Sequence, residues 1–390
     1  MRHRRVARLL LVLQGVAVAV PVPSLADWNF SGSNTVRVDS YRIRGDERHS
    51  PYGQEGTFIT NDIDLSLSGD LAPGQTLKFD FAGTVTDSPY RSDHTGLVPE
   101  AMRLSYDNAT AGLPFRVDLG DQNVQFSELT LNRTLKAARL TVRPNSGSDG
   151  RSYWASTVIG SDGQQWRDFD PEENLYYGLS VGMQDQRLGT YSFNLVHHSE
   201  SGLEGLPSLS QWAASLTGQR QFDIAGQDLN VRGELAYLHG DSAATRHLSA
   251  GERPDSGYGV YVQIDGRSQS RPVDYRLRYD RYSDGLGPGG SSALAGSEAL
   301  LLEGGWRSER DVELRGRLQR SRTELGSANP ITTDSAAVSL SGPLIPGDRQ
   351  KVRGRLDLSR QQRESADDSV SVLAQTAQGS LIITHGARHQ

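Results

Sequence analysis

The chain has 390 residues, and 41 Lys and Arg residues against 47 Asp and Glu residues give it a formal net charge of −6. It has no cysteine, which excludes disulfides, thiolate catalysis and cysteine-ligated metal sites. The acidic balance argues against a general nucleic-acid-binding protein, because such proteins need a basic footprint.

The first predicted element is a secretory signal peptide over residues 1–26. A basic start is followed by an apolar run over residues 9–20 and by a small-residue cleavage site at Ser24-Leu25-Ala26. Cleavage there leaves residues 27–390, which we predict to form a single domain. No later stretch approaches the ~20 apolar residues of a membrane-spanning helix. If the mature chain sits in a membrane, it must therefore be a closed barrel, since only helices and barrels satisfy the backbone in lipid.

The stretch Phe58–Asp87 predicts two strands joined by a turn at Ala72-Pro73-Gly74. On each side of the turn, apolar and polar residues alternate with a period of two, which places them on opposite faces of a strand. Each arm is long enough to cross a bilayer, because a tilted spanning strand needs about 9–11 residues. One apolar and one polar face is the repeat of a transmembrane β-barrel, with Leu65 facing lipid and Ser66 facing the lumen.

Strands of this kind recur along the chain, about 22 residues apart including the connection. Connections are short, as around Ser308–Asp311, or long, as at Asp284–Ser297, which fits short periplasmic turns and longer outer loops. We predict an all-β fold: a single antiparallel up-and-down transmembrane β-barrel of about 16 strands, within a range of roughly 14 to 18. The alternative folds are a soluble β-sandwich and a β-solenoid.

One stretch, GDQNVQFSELTLNRTLK over residues 120–136, breaks this rhythm. Leu131 and Leu135 have helical spacing within it. Two interpretations remain open at this point. The stretch is either an ordinary strand pair with an irregular turn, or a segment folded into the lumen that narrows a pore and presents Arg133 and Lys136.

The signal peptide followed by strands of period two resembles Gram-negative outer-membrane β-barrels over nearly the whole chain. The segment GDQNVQFSELTLNRTLKAARL is also similar to a stretch in barrels attached to large bacterial surface and export proteins. The resemblance implies the outer membrane of a Gram-negative bacterium, assembly by the outer-membrane insertion machinery, and passage of solutes or polymers through the lumen. Two features depart from this class: the sequence ends in Thr384–Gln390 without a terminal aromatic residue, and no Phe, Tyr or Trp follows Trp306.

Charged residues on the polar faces are the candidates for lining a pore, because Arg or Lys facing lipid near the midplane costs about 2–4 kcal/mol. These candidates are Arg133, Lys136, Arg276, Arg278, Arg315, Arg317, Arg353, Arg355, Asp274, Asp280 and Glu313. They form either salt-bridged ladders that fill a narrow barrel or a basic wall that selects anionic solutes. Acids on the same strands reduce the net field, so anion selectivity is not the leading expectation.

Two short motifs are weak candidates for catalysis. Asp93-His94, in a predicted outer loop, lacks the second acidic pair that a hydrolytic site would need. His197-His198-Ser199 offers a base beside a hydroxyl, but adjacent strand residues point to opposite faces. The nine histidines show no metal-ligand spacing. We therefore predict a chain that is not an enzyme, with no cofactor and no metal.

The predicted function is a porin-like channel for passive passage of small solutes or export of a polymer. The alternative is a structural, assembly or surface-binding barrel with a plugged lumen and no conductance. The expected partners are outer-membrane lipid, the outer-membrane insertion machinery and, as a further candidate, an exported polymer or secretion partner. Nucleic acid is not an expected partner.

Overall fold

The computed structural model describes residues 28–383 except 44–54, 92–93, 145–149, 164–165, 168, 172, 202–207, 242–254, 287–294, 328, 345–351 and 368. The predicted signal peptide, Asp93 and the last seven residues lie outside the described part. The described residues form eighteen strands: β1 Trp28–Tyr41, β2 Gly56–Ala72, β3 Gln75–Thr86, β4 Gly96–Asn108, β5 Phe115–Gln125, β6 Asn132–Val142, β7 Arg151–Ser161, β8 Asn174–Asp185, β9 Gly189–Glu200, β10 Leu209–Ile224, β11 Gln227–Gly240, β12 Ser256–Ser268, β13 Val273–Tyr282, β14 Ser297–Arg307, β15 Glu313–Thr323, β16 Ile331–Pro343, β17 Val352–Ser365 and β18 Ser371–Ile383.

The chain divides into two compact units, and the first is Met1–Asp118 with Gln165–Arg167. It contains β1 to β4 and the start of β5, with β1, β2, β3 and β4 paired in order and antiparallel. The face assignment of the β2–β3 hairpin is as predicted. Leu65 lies on an exposed apolar face, whereas the Ser66 hydroxyl donates to the Asp80 carboxylate at 2.7 Å on the other face.

The second unit is Leu119–Gln164 with Asp168–Gln390. It contains the rest of β5 and all of β6 to β18. From β6 onward each strand pairs with the next along the chain, always antiparallel. The predicted all-β, antiparallel, up-and-down architecture is confirmed for the described residues.

The tightest turns depend on left-handed backbone. Gly74 closes the β2–β3 turn at a φ of 73°, a conformation that glycine adopts without a Cβ penalty. The β10–β11 turn has only two residues, Ala225 and Gly226, at φ values of 52° and 72°. Positive φ at both positions is the type I′ geometry, whose twist matches that of the flanking strands.

Connections that follow even-numbered strands are on the whole shorter than those that follow odd-numbered strands. Every connection that follows an even-numbered strand has two to eight residues. Those that follow odd-numbered strands have five to fifteen residues. In an up-and-down sheet, alternate connections lie at the same end of the strands. The two ranges overlap, so the predicted division into short and long connections holds only on average; we call the two ends the short-connection and long-connection ends.

The eighteen strands of the described residues exceed the predicted number of about 16 and equal the upper limit of the predicted range. The strand that the sequence pattern missed is β7, Arg151–Ser161. Its polar side carries Trp154 and Val158 as well as serines, so the alternation of apolar and polar residues is blurred. At the other end of the chain, the apolar runs near Val370 and Leu381 belong to one strand, β18, and not to two.

In the second unit the exposed face of the strands is apolar and the buried face is polar. Large apolar side chains such as Leu179, Phe193 and Leu235 are exposed, whereas Asn194 and Glu234 on the opposite face are almost fully buried. In a soluble protein large apolar residues face the core, and buried charges are rare. We call these surfaces the apolar face and the polar face. No helix in the described residues is long and apolar enough to cross a membrane.

Candidate pore-lining site

The β5–β6 connection, Phe126–Leu131, folds over the polar face of the second unit, and we call it the tip. The Phe126 amide donates to the Leu131 carbonyl at 2.9 Å and closes the loop. Within it, the Ser127 and Thr130 hydroxyls lie 2.6 Å apart, and the Thr130 amide donates to Ser127 Oγ at 3.1 Å. The tip is a compact turn, and the helical spacing noted in the sequence does not produce a helix here.

The carboxylate of Glu234 on β11 anchors the tip. It accepts hydrogen bonds from the backbone amides of Glu128 and Leu129 at 3.1 and 3.3 Å. The Ser215 hydroxyl on β10 donates to Ser127 Oγ at 3.2 Å. Glu234 lies six residues from the end of β11 at Gly240, which is about 20 Å along a strand. The tip therefore reaches from the long-connection end to the middle of the strands.

Apolar packing holds the tip from both sides. Phe126 and Leu131 belong to one buried cluster with side chains of β5 to β9: Val124, Leu135, Ala137, Val158, Tyr176 and Val196. Leu129 belongs to a second cluster with Ala236, Leu238, Tyr261, Tyr282 and Leu286. Gly178 on β8 makes room for this packing, because a Cβ there would lie 2.5 Å from a ring carbon of Phe126. The tip thus packs against strands that are adjacent in the sheet but far apart in sequence.

One charged side chain of the tip, Glu128, pairs with two arginines of the polar face. Its carboxylate lies 3.6 Å from Arg232 Nη1 and 3.3 Å from Arg278 Nη2. Arg278 also pairs with Asp280 at 2.8 Å, and its guanidinium lies over the Tyr261 ring, 5.0 Å from the centroid. The charges at the tip are therefore largely neutralised within the protein.

Arg133 and Lys136, both predicted to line the pore beside the tip, lie on different sides of β6. Arg133 is on the polar face, where it pairs with Asp162 at 2.6 Å and donates to the Tyr176 hydroxyl. Lys136 lies opposite Ser161 at the end of β7 and on the other face, where it is buried and pairs with Asp121 at 2.7 Å. The three-residue spacing explains the difference, since a period of two puts positions 133 and 136 on opposite faces.

The other predicted lining residues share the polar face of β13 to β17. The register places Arg276 opposite Glu303 and Glu303 opposite Arg317, and directly opposed residues point to the same side. The same parity brings together Asp274, Arg276, Arg278, Asp280, Glu313, Arg315, Arg317, Arg353 and Arg355. These nine residues therefore form one continuous charged surface, as their alternation predicts.

The charges on this surface occur in pairs. Arg276 lies 2.7 Å from Asp265 and 3.4 Å from Glu303. Arg315 pairs with Glu313 at 2.7 Å, and Arg355 pairs with Asp357 at 2.8 Å. All of these side chains except Glu313 border a cavity of about 820 Å³ toward the short-connection end. Five arginines and five carboxylates line this cavity: Arg267, Arg276, Arg315, Arg317 and Arg355, and Asp228, Asp265, Asp274, Glu303 and Asp357. The surface is thus strongly charged but nearly neutral in sum.

Several residues that define this site are not distinguished by any motif in the sequence. Glu128, Glu234, Asp265 and Glu303 each touch the tip or an arginine of the polar face. Alternation with apolar neighbours places Glu234, Asp265 and Glu303 on the polar face, whereas Glu128 lies in the tip. No local pattern distinguishes the four from other solvated acids. Glu234 is special only because the tip, 105 residues away in sequence, comes to rest on it.

His198, one of the residues considered for catalysis, is held by stacking and by two polar contacts. His198 on β9 is buried, and its ring stacks on Tyr176 with centroids 4.1 Å apart. Its Nε2 lies 2.5 Å from Asn174 Oδ1 and its Nδ1 lies 3.2 Å from Gln211 Nε2. The neighbouring Ser199 belongs to the opposite parity of the strand. Within the described ranges, no three His, Asp or Glu side chains are grouped as metal ligands.

Several solved structures from Pseudomonas aeruginosa are similar to this chain over most of its length. OccK5 (OpdH) has a TM-score of 0.47 at 10% identity and covers 91% of this chain and 98% of its own. OccK3 (OpdO) has a TM-score of 0.47 at 11% identity, with 91% and 95% covered. OccK2 (OpdF) in complex with glucuronate has a TM-score of 0.44 at 9% identity, with 92% and 98% covered. No protein-family model and no curated protein matches the chain.

Proposed function

We propose that the strands close into an outer-membrane β-barrel that acts as a channel for passive passage of small solutes. The exposed apolar face supports a lipid environment, because in water such a surface would be a large aggregation liability. Closure is supported by the edge of β18, where every residue is exposed. An open strand edge is not tolerated in lipid, and an even number of antiparallel strands can close without a mismatch.

The observation that carries the channel proposal is the position of the tip. It lies at mid-strand depth on the polar face, which becomes the lumen of a closed barrel. A loop at that depth sets the narrowest point of a pore, where side-chain charge acts most strongly on a passing ion. A narrowed pore favours small solutes over a polymer. The equal numbers of arginines and acids around the cavity favour weak ionic selectivity.

Single-channel recording in a planar bilayer tests this proposal. Replacing Ser127–Thr130 by two glycines should raise the conductance while the protein keeps its heat-modifiable gel migration, which reports a folded barrel. Arg278→Gln should shift the ion preference toward cations. The shift should grow at low salt, because the Debye length rises from about 10 Å at 0.1 M to about 30 Å at 0.01 M. Arg320→Gln is the matched control, since Arg320 lies on the apolar face.

The alternative function is a structural barrel plugged by its own side chains. The buried tip and the ion pairs of the polar face favour it, because both fill space in the lumen. A plugged barrel shows no conductance before or after Arg278→Gln. A folded, heat-modifiable protein without conductance would therefore refute the channel and retain the barrel. A protein recovered in the soluble periplasmic fraction, with gel migration unchanged on boiling, would refute both.

A further inference from the structure

On β15 to β17 the apolar face ends in a group of arginines near the long-connection end. Along β15 the residues of this face are Leu314, Gly316 and Leu318, followed by Arg320 and Arg322. Two strands away, β17 changes in the same way after Leu358, where Arg360 follows on this face. These arginines therefore share a face with the exposed leucines, and not with the paired arginines of the polar face.

The three arginines are poorly neutralised by the protein. Arg320 pairs with Asp334 at 3.2 Å, with 67% of its side chain exposed. Arg360 donates to the neutral amide of Gln362 at 3.2 Å. Arg322 lies opposite Glu298 on β14, but no ion pair or hydrogen bond joins the two side chains within the described part of the chain. Two guanidinium groups are thus without a carboxylate partner, although each has several donors in a fixed fork.

Other charged groups also lie on this face and contribute to its net charge. Glu298 on β14 lies between Arg281 on β13 and Arg322 on β15, and its carboxylate accepts a hydrogen bond from the Tyr279 hydroxyl at 3.0 Å. The carboxylate of Glu364 on β17 accepts a hydrogen bond from the side-chain amide of Gln362 at 2.6 Å. This end of the face therefore carries four arginines and three carboxylates: Arg281, Arg320, Arg322 and Arg360, and Glu298, Asp334 and Glu364. Each carboxylate already accepts a hydrogen bond from the protein.

The arginines are close enough to act on one ligand. Strands are about 4.8 Å apart, so β15 and β17 are separated by about 10 Å. Arg360 is in register with Leu318, so along the strand direction Arg320 is offset from Arg360 by about 7 Å and Arg322 by about 14 Å. Long, exposed arginine side chains can span such distances and converge on a single group. Planar guanidinium groups match a phosphate in a bidentate manner, which a lysine cannot do.

The lack of aromatic residues in these strands indicates how deep in the membrane the three arginines lie. In membrane barrels, aromatic side chains usually mark the interface between the apolar band and water. From Arg307 to the end of the sequence there is no Phe, Tyr or Trp. On this arc the border of the apolar band is therefore made by arginine, which places the guanidinium groups where lipid headgroups lie.

We propose that Arg320, Arg322 and Arg360 bind the phosphate of a lipid headgroup in the outer leaflet. This inference rests on the proposed membrane orientation, in which the longer connections face outward. The acyl chains of such a lipid cover the neighbouring leucines while its phosphate meets the arginines. Continuity of the apolar band with the cationic group selects a lipid over a soluble phosphate, which has no apolar part.

Native mass spectrometry of the full-length protein refolded in detergent provides the test. The two probes are a diphosphorylated glucosamine-disaccharide glycolipid and its dephosphorylated form with the same acyl chains. The outward triple variant carries Arg320→Gln, Arg322→Gln and Arg360→Gln. The matched inward variant carries Arg315→Gln, Arg317→Gln and Arg355→Gln, so it removes the same charge from the opposite face of the same two strands.

The wild-type protein and the inward variant should prefer the phosphorylated lipid by about tenfold or more, and the outward variant should lose that preference. Equal loss in both variants, or no preference in the wild-type protein, would overturn the proposal. Inorganic phosphate at millimolar concentration should not displace the lipid; if it does, the site is one for small anions. Heat-modifiable migration checks folding of each variant. Channel conductance is measured separately, so failure of the channel proposal and failure of lipid binding are distinguishable.

Discussion

Removing the carboxylate of Glu234 should loosen the tip without unfolding the sheet. In Glu234→Ala, the amides of Glu128 and Leu129 lose their buried acceptor. Hydrogen bonds to charged groups contribute about 1.5–3 kcal/mol each, so the tip loses about 3–6 kcal/mol of docking free energy. The apolar side chains Phe126, Leu129 and Leu131 stay buried and retain about 1.5–3 kcal/mol each. The tip should therefore remain docked on average but open far more often.

Hydrogen exchange of the refolded protein measures this opening. A loss of 3 kcal/mol corresponds to an increase of about 100-fold in the open population. The amides at positions 128 and 129 should exchange faster by at least about that factor. Glu234→Gln keeps an acceptor oxygen but not the charge, so its effect should be closer to tenfold.

The matched control is Glu303→Ala. Glu303 is an acid of the same polar face that pairs with Arg276 and does not touch the tip. Equal exchange rates at positions 128 and 129 in Glu234→Ala and Glu303→Ala would refute the view that Glu234 anchors the tip. Accelerated exchange throughout β10 to β12 would show instead that Glu234 supports the sheet.

Three further changes probe other parts of the protein. Leu65→Arg should reduce the heat-modifiable fraction, because a charge at lipid depth costs about 2–4 kcal/mol, whereas Ser66→Arg faces Asp80 and should be tolerated. Gly178→Leu should displace the Phe126 ring and raise single-channel conductance, since a Cβ at position 178 would already lie 2.5 Å from that ring. Asp367→Asn should lower the melting temperature at neutral pH, and the difference should shrink progressively as the pH falls from about 4 toward the folded-state pKa of this carboxyl. Hydrogen bonds from Ser369, and then Ser365, hold the pKa of the Asp367 carboxyl well below its usual range, so its stabilisation is present above the unfolded pKa and is lost as pH falls.

Each of these expectations has a result that contradicts it. Equal loss of folded protein from Leu65→Arg and Ser66→Arg would mean that the register of β2 is wrong. Gly316→Leu is the control for Gly178→Leu, because a Cβ at position 316 meets no atom within 4 Å. Equal conductance changes in both glycine variants would show that the position of the tip does not determine the conductance. Parallel melting curves for wild type and Asp367→Asn down to pH 2 would exclude a titrating role for that carboxylate.

The period of two predicted most of the fold because each face of a strand meets a different environment. Where that difference is sharp, as in β2 and β3, the alternation predicted both the strands and their faces. Where the polar side itself carries apolar residues, the signal weakens. Trp154 and Val158 on β7 face the side that also packs the tip, so the alternation does not predict β7.

The site was less predictable because it depends on contacts between distant residues. Alternation placed Arg276, Arg278 and Arg315 on one surface, since that property is local to each strand. It could not identify Glu234 as the partner of the tip, because no local pattern encodes a contact across 105 residues. The burial of Lys136 beside Asp121 likewise arises from tertiary packing and not from strand periodicity.

The depth at which the tip docks bears on the order in which the molecule is built. Pairing of each strand with its sequence neighbour needs only local loop closure, which is kinetically accessible early. The tip, by contrast, requires Glu234 and Arg278, which follow it by about a hundred residues or more. We expect the strands to pair first and the tip to dock last. If the protein is the channel proposed above, a newly assembled molecule should therefore conduct more than the mature one until the tip docks.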